Sequence, residues 1–183
     1  MSEVEIIAVI FSLTSVYFSA YKKVYTWPAG MIGVTAYGWL FYKEKLYADT
    51  FLQIIFFIQC IYGWYYWRAD KEEKDFKAKK ISNKWRIIAG LVVAVLTVIL
   101  GFMLQTYTDA SLPWLDAFLS VSSLTANFLA TRKFIENWIL WIMADIFYIG
   151  LFLYKSLYLS SVVYVIFIVL CVKGIMEWKK AIT

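Results

Sequence analysis

Stretches of apolar residues alternate with short charged stretches along the whole chain. A hydrocarbon core of about 30 Å is crossed by about 20 apolar helical residues, and by fewer when flanking side chains reach the interface. The stretches that meet this requirement are Val4–Ala20, Trp27–Tyr42, Leu46–Trp67, Trp85–Met103, Leu112–Ala130, Trp138–Leu153 and Leu157–Trp178. The pattern therefore predicts an all-α integral membrane protein with seven transmembrane helices.

Composition agrees with a membrane protein. Of the 183 residues, 62% are hydrophobic and the mean hydropathy is +0.67, whereas soluble domains have about 45–50% apolar residues. Histidine is absent, which removes the commonest general base and metal ligand. Cys60 and Cys171 each lie inside an apolar run, so we expect them to pack rather than to form a disulfide or a metal site.

The basic residues predict the direction in which the chain crosses the membrane. Of the 18 lysines and arginines, 15 follow spans 1, 3, 5 and 7, and the remaining 3 lie on the other side. Basic residues accumulate on the cytoplasmic side of membrane proteins. The N-terminus is therefore predicted outside and the C-terminus in the cytoplasm. The charged stretch 68–84 is predicted to be a cytoplasmic loop rather than a nucleic-acid-binding segment, because its charges are mixed and it adjoins a span.

The chain contains an internal repeat in a single register. Fifteen identities occur without gaps when the 56 positions 12–67 are aligned with 123–178. We predict one transporter domain, 1–183, with repeat one at 4–68, the cytoplasmic loop at 68–84, a linker helix at 85–103 and repeat two at 112–179. A single linker helix gives both repeats the same orientation. The prediction is thus two parallel three-helix repeats joined by a linker helix, with a solute site near the midplane where they meet.

One face of span 6 has the chemistry of a binding site. Trp138, Trp141, Asp145 and Tyr148 follow a 3, 4, 3 spacing and so share one helical face. A carboxylate inside a span normally faces the bundle interior or a wet cavity. Two indole rings beside a carboxylate suit a flat organic cation. The alternative is that Asp145 pairs with a polar neighbour and the tryptophans belong to an interfacial belt.

Repeat one lacks this chemistry at the same positions. The corresponding face of span 2 has Trp27, Gly30, Val34 and Tyr37, so the site is predicted to be asymmetric. Polar residues in spans 3 and 5 are either ligand contacts or interhelical hydrogen-bonding groups. The predicted substrate-binding residues are Trp138, Trp141, Asp145, Tyr148, Gln53, Asn127, Tyr37 and Trp27.

The sequence contains no catalytic motif that we recognise. It has no P-loop, no glycine-rich dinucleotide fingerprint and no nucleophile paired with a base. We therefore predict a transporter of a small molecule, with no enzyme activity, no cofactor and no nucleic-acid partner. The rival hypotheses are a membrane-embedded enzyme that uses Asp145 as a base, and a scaffold that transports nothing.

The chain resembles the PnuC family of vitamin transporters along nearly its whole length. The matching stretches include Trp27-Pro-Ala-Gly30, Ile61-Tyr-Gly-Trp-Tyr-Tyr-Trp67, Leu112-Pro-Trp-Leu-Asp-Ala117 and Glu136-Asn-Trp-Ile-Leu-Trp141. The family motif Trp-x-x-Trp-x-x-x-Asn/Asp, placed at the substrate, corresponds here to Trp138, Trp141 and Asp145.

The resemblance implies a sugar-transporter-like 3+1+3 fold, a homotrimer in the bacterial cytoplasmic membrane, and facilitated diffusion of a vitamin that a cytoplasmic kinase then traps by phosphorylation. Family substrates include nicotinamide riboside, thiamine and riboflavin. Some nicotinamide riboside transporters have asparagine where this chain has Asp145. A carboxylate favours the two ring cations over neutral riboflavin, and we rank nicotinamide riboside first and thiamine second.

Overall fold

A computed structural model of the protein describes residues 3–43, 47–69, 76–109, 112–154 and 158–182. Within these ranges the chain forms seven helices, as the sequence predicts. They are α1 (Glu3–Ala20), α2 (Thr26–Lys43), α3 (Tyr47–Arg68), α4 (Asn83–Tyr107), α5 (Pro113–Thr131), α6 (Asn137–Tyr154) and α7 (Tyr158–Lys179). Leu46 and Leu157, the predicted first residues of spans 3 and 7, lie outside the described residues.

Three of the helices have the length and composition of membrane spans. Within the described residues, Glu3–Ala20, Asn83–Tyr107 and Ser161–Lys179 are long and apolar enough to cross a bilayer, and Asn137–Leu151 is a shorter apolar helix. The longest helix, α4, has large apolar side chains that are mostly exposed, such as Ile87 at 66% and Phe102 at 62%. Such a surface is unfavourable in water and natural in hydrocarbon.

The helices form two three-helix units with matching contacts. In the first unit, α2 packs between α1 and α3, and in the second, α6 packs between α5 and α7. The two units meet through α3 on α5 and through α1 on α7, while α4 packs on α5. These two inter-unit contacts are equivalent, because α3 corresponds to α7 in the repeat and α5 corresponds to α1. Two units of the same orientation would give this pattern; the parallel-repeat arrangement and its domain limits stay predictions.

One glycine–tryptophan contact occurs in both units. A Cβ atom on Gly63 of α3 would lie 2.6 Å from the ring of Trp27, and a Cβ atom on Gly174 of α7 would lie 2.5 Å from the ring of Trp138. Real Cβ atoms do not approach other atoms so closely, so only glycine lets the indole of the preceding helix lie against the backbone.

The C-terminal ends of α1, α3, α5 and α7 meet at one end of the bundle, which we call the tryptophan end. Four tryptophans pack there in two edge-to-face pairs. The ring centroids of Trp27 and Trp67 are 5.3 Å apart at 87°, and those of Trp138 and Trp178 are 5.4 Å apart at 83°. The turns after α1 and α5 also match, because Lys22 and Lys133 both have a left-handed backbone, with φ of 61° and 63°.

The described part of the α3–α4 connection, residues 76–82, packs on the tryptophan end through Phe76 and Ala78. Residues 70–75 of the connection lie outside the described part of the chain. The amide of Ala78 donates to the carbonyl of Ala181 (2.9 Å), that of Lys79 donates to Lys133 (2.9 Å), and that of Ile135 donates back to Lys79 (3.0 Å). The second half of the predicted polar loop is therefore a packed part of the bundle.

Candidate functional site

Two of the predicted substrate-binding residues lie in the tryptophan end. Trp27 is 4% exposed and Trp138 is 2% exposed, each beneath the edge-to-face contact described above. Neither indole Nε1 has a hydrogen-bond partner among the described residues. A ligand can therefore reach either ring only when the surrounding aromatic packing moves. Their substrate role stays a prediction.

Asp145 lies two turns further along α6 and is 4% exposed. The thiol of Cys171, on α7, lies 4.0 Å from its Oδ2 atom. A thiol is a weak donor, and among the described residues no lysine or arginine forms an ion pair with this carboxylate. An ionised carboxylate inside a membrane normally has a partner charge or water. The position thus suits a group that receives a cation from outside the chain.

The aromatic neighbours of Asp145 come from α6 and α7. Trp141 is partly buried and packs against the core of the tryptophan end. Tyr148 packs on Tyr164 of α7, with ring centroids 4.9 Å apart, and Asp145 interacts electrostatically with both tyrosines. Trp138 thus lies inside the tryptophan end, Trp141 packs against its edge, and Asp145 and Tyr148 contact α7. Tyr164 and Cys171 are neighbours that the sequence did not single out as part of the site.

The matching face of α2 is closely packed and apolar. A Cβ atom on Gly30 would lie 3.1 Å from Oγ of Ser15 and 3.2 Å from Sγ of Cys60. No indole would fit at this position without displacing α1 or α3. Tyr37 stacks on Phe41, at 5.8 Å and 19°. The structure thus has no counterpart of Trp141 and Asp145 on α2.

The predicted polar contacts from α3 and α5 differ in their surroundings. Gln53 packs on α2, where a Cβ atom on Gly38 would lie 3.4 Å from its own Cβ atom. The Asn127 side-chain amide donates to Oε1 of Gln59 (2.8 Å), and Gln59 donates to the carbonyl of Leu124 (3.2 Å). Asn127 therefore makes an interhelical hydrogen bond, which is the alternative that the sequence left open. Ligand contact by either residue stays a prediction.

Three carboxylates lie at the opposite end of the bundle from the tryptophan end. Glu5, Asp49 and Asp116 occupy the first turns of α1, α3 and α5. Asp49 and Asp116 lie within electrostatic range of each other and of Tyr148. Glu5 lies within electrostatic range of Tyr37. We call this group the acidic mouth. Its members share the first turn of an odd-numbered span, and this signal was available in the sequence.

A cavity of about 690 Å³ lies elsewhere, between α4 and α5. Its lining is mainly apolar and includes Val92, Leu96, Leu124 and Phe128. It contains none of the predicted substrate-binding residues. This groove is therefore not the candidate site.

Comparison with known proteins identifies the family. A sequence model of the family described as nicotinamide mononucleotide transporter matches residues 2–180. The chain belongs to this family. The resemblance to PnuC proteins is thereby confirmed, and the chain is a multi-pass membrane transporter of the bacterial inner membrane, not an enzyme.

Relatives with assigned substrates differ in what they carry. The nicotinamide riboside transporter PnuC of Escherichia coli K12 is 25% identical, with 97% of this chain and 85% of the relative covered. The riboflavin/roseoflavin transporter RibM of Streptomyces davaonensis is 27% identical, with coverages of 86% and 75%. The crystal structure of the vitamin B3 transporter PnuC superposes with a TM-score of 0.82 at 23% identity, covering 98% of this chain and 81% of that one, which shows the shared fold.

Proposed function

We propose that this transporter carries nicotinamide riboside into the bacterial cell by facilitated diffusion. The observation that carries the proposal is the buried carboxylate of Asp145, one turn from Trp141 on α6. Nicotinamide riboside has a flat pyridinium ring with a positive charge. Such a ring stacks on an indole face and is attracted to a carboxylate at the same time.

The acidic mouth supports a cationic substrate. Carboxylates at the entrance of a cleft raise the local concentration of cations and speed their association. Tyr37 and Tyr148 lie within electrostatic range of the acidic mouth, and Tyr148 also within range of Asp145. We infer that a cation enters at the acidic mouth, passes these tyrosines and reaches Asp145.

Thiamine is the second candidate, because its thiazolium ring offers the same charge to Asp145. Riboflavin is the third. It is transported by one of the relatives, but its neutral ring system gains nothing from a carboxylate. The family relationship alone does not decide between these vitamins, since relatives of similar identity carry different ones.

The proposed mechanism is alternating access by two parallel three-helix units that rock about the substrate. The N-terminus and the acidic mouth would face outward and the tryptophan end would face the cytoplasm, because the basic residues follow α1, α3, α5 and α7. A uniporter must bind its substrate comparably in both open states. Following the resemblance to PnuC proteins, we further propose a homotrimer and trapping of the substrate by a cytoplasmic kinase.

The test is a ligand series measured on the purified protein. A ligand that binds only the folded state raises the melting temperature. We expect nicotinamide riboside to raise it most, and its dihydro form, which has a similar shape and no ring charge, to raise it little. Equal shifts with both forms would refute recognition of the cation. A larger shift with thiamine would change the proposed substrate.

Transport itself is tested in proteoliposomes. Facilitated diffusion predicts uptake of labelled nicotinamide riboside that proceeds until the inner and outer concentrations are equal. Neither a proton gradient nor a sodium gradient should change that end point. Accumulation above the outer concentration would contradict passive transport.

A further inference from the structure

The two units are joined at the tryptophan end by two hydrogen bonds from equivalent tryptophans. The indole Nε1 of Trp67, in the first unit, donates to the carbonyl of Thr131 in the second unit (3.1 Å). The indole Nε1 of Trp178, in the second unit, donates to the carbonyl of Ser19 in the first unit (2.9 Å). The two donors occupy equivalent positions of the internal repeat. The acceptors are offset by one position, because Ser19 is equivalent to Ala130. Each unit therefore holds the other through a tryptophan at the same position of the repeat.

Phe76 packs on both of these tryptophans, whose ring centroids are 5.9 Å apart. Its ring centroid is 4.9 Å from that of Trp67 and 4.9 Å from that of Trp178, edge to face in both cases, and it is 5% exposed. The ring comes from outside both units, from the α3–α4 connection. An aromatic ring at this position closes the tryptophan end along the line on which the two units meet.

The connection that bears Phe76 contacts both units, with an exposed hydrogen bond from Lys79 Nζ to the Tyr66 hydroxyl of α3 (3.4 Å) and backbone hydrogen bonds to the second unit. Its backbone hydrogen bonds, at Ala78 and Lys79, go to residues that follow α7 and α5. Two residues that follow α5 also contact side chains of the first unit. Lys133 Nζ lies 5.3 Å from the Tyr66 ring centroid, and Arg132 Nη1 donates to the Tyr62 hydroxyl (2.8 Å). When the units part, Phe76 should therefore stay with the second unit and leave the face of Trp67.

We propose that Phe76, Trp67 and Trp178 form the cytoplasmic gate of the transporter. The inference rests on the proposed function, because a gate has meaning only if the two units rock. Release toward the cytoplasm requires the two indole hydrogen bonds to break and Phe76 to withdraw from Trp67. The buried rings of Trp27 and Trp138 then become accessible, since Trp67 and Trp178 pack directly on them.

The test removes the hydrogen bonds and keeps the rings. The double variant Trp67→Phe, Trp178→Phe lacks both indole donors. Phe76→Ala lacks the ring that packs on both tryptophans. Trp85→Phe, at an exposed tryptophan of α4, is the matched control. Spin labels on cysteines at Ala69 and Lys180, two exposed positions just beyond α3 and α7, report the separation of the units. The native Cys60 and Cys171 are buried.

We expect pulsed EPR to show a second, longer distance between the two labels. Its population should be several-fold larger in the double variant and in Phe76→Ala than in the parent or in Trp85→Phe. A second label pair, at Lys43 and Tyr154, lies at the opposite end and again occupies equivalent positions of the repeat. Its distance should shorten as the gate opens, because the units rock.

Two outcomes would overturn the gate. Unchanged distances at the tryptophan end would show that these contacts do not hold the units together. Broader distance distributions for both label pairs would show that the variants only loosen the fold. The measurement needs no ligand, so it decides on the gate even if none of the three vitamins binds and the proposed function fails.

Discussion

The two three-helix units have nearly the same structure where they meet and different structures halfway along. At the tryptophan end, the contact of Gly63 with Trp27 is repeated by Gly174 with Trp138, and the following left-handed lysine turns agree closely in φ. Halfway along, Gly30 lies against Ser15 and Cys60, whereas the second unit has an indole and a carboxylate.

Under the proposed mechanism, this difference assigns movement and substrate recognition to different residues. Two units that rock against each other need equivalent contacts at their shared ends, because each must release the other in the same step. A substrate needs only one cation-binding face, and a second buried carboxylate nearby would add repulsion and another desolvation cost. Under the proposed mechanism, the repeated contacts at the tryptophan end would guide the movement of the units. Trp141 and Asp145, which depart from the repeat, would bind the ring cation.

Removal of the charge at Asp145 should have the largest effect on substrate binding, because repeat one has the uncharged Val34 at the equivalent position. Asp145→Asn keeps the size of the side chain, and we expect affinity for nicotinamide riboside to fall about 10- to 100-fold, since a contact with a charged group contributes about 1.5–3 kcal/mol and each ~1.4 kcal/mol is tenfold. Isothermal titration calorimetry measures the loss. The melting temperature without ligand should change little.

The control for this variant is Asp116→Asn in the acidic mouth, which removes the same charge at the rim of the bundle. Long-range attraction near the surface is screened by salt, so its effect should be small and should vanish at high ionic strength. An equal loss of affinity in both variants would show that total charge matters and that Asp145 has no special position.

Much of the fold could be predicted because membrane spans and repeats are local and periodic signals. Length and apolarity located all seven helices, and the matched identities paired Trp27 with Trp138 and Gly63 with Gly174. The spacing along α6 also placed Asp145 beside Tyr148, since helical geometry alone determines which residues share a face. The packing of Trp138 in the tryptophan end was not predicted, because it depends on its partner Trp178 at the far end of the next helix.

Other residues were not identified from the sequence because their contacts join segments that are distant along the chain. Phe76 is the one aromatic residue in a charged stretch. The neighbouring sequence does not show that its ring packs on the ends of two helices. The neighbours Cys171 and Tyr164 lie on α7, and their approach to Asp145 depends on how α6 and α7 cross. The acidic mouth is different, because its members share the first turn of an odd-numbered span, so the sequence and the predicted topology together were enough to find it.

The glycine–tryptophan contacts provide a test of equivalence between the units. Gly63→Ala and Gly174→Ala each force a Cβ atom to within about 2.6 Å of an indole ring. Overpacking of this kind costs about 1–3 kcal/mol, so we expect both variants to melt several degrees lower, by similar amounts, in a thermal unfolding assay.

Gly90→Ala and Gly150→Ala are the controls, because a Cβ atom at either position would meet nothing within 4 Å. Alanine at an open helical position is favoured over glycine by about 0.5–1 kcal/mol, so these variants should be as stable as the parent or slightly more stable. If Gly63→Ala were tolerated while Gly174→Ala was not, the two units would not share one packing scheme.

The smallest expected effect concerns the two cysteines, which are equivalent in the repeat and differ in their neighbours. Cys171 lies 4.0 Å from the Asp145 carboxylate, whereas Cys60 lies beside Gly30. Cys171→Ala and Cys60→Ala remove the same buried atom, so both should lower stability by a similar amount. Only Cys171→Ala removes a weak donor from Asp145, and we expect its affinity for nicotinamide riboside to change about twofold. Calorimetry on both variants, at one protein concentration and salt, resolves this difference. Equal affinities would show that the thiol only packs against α6, and that the asymmetry between the units is confined to the side chains of α2 and α6.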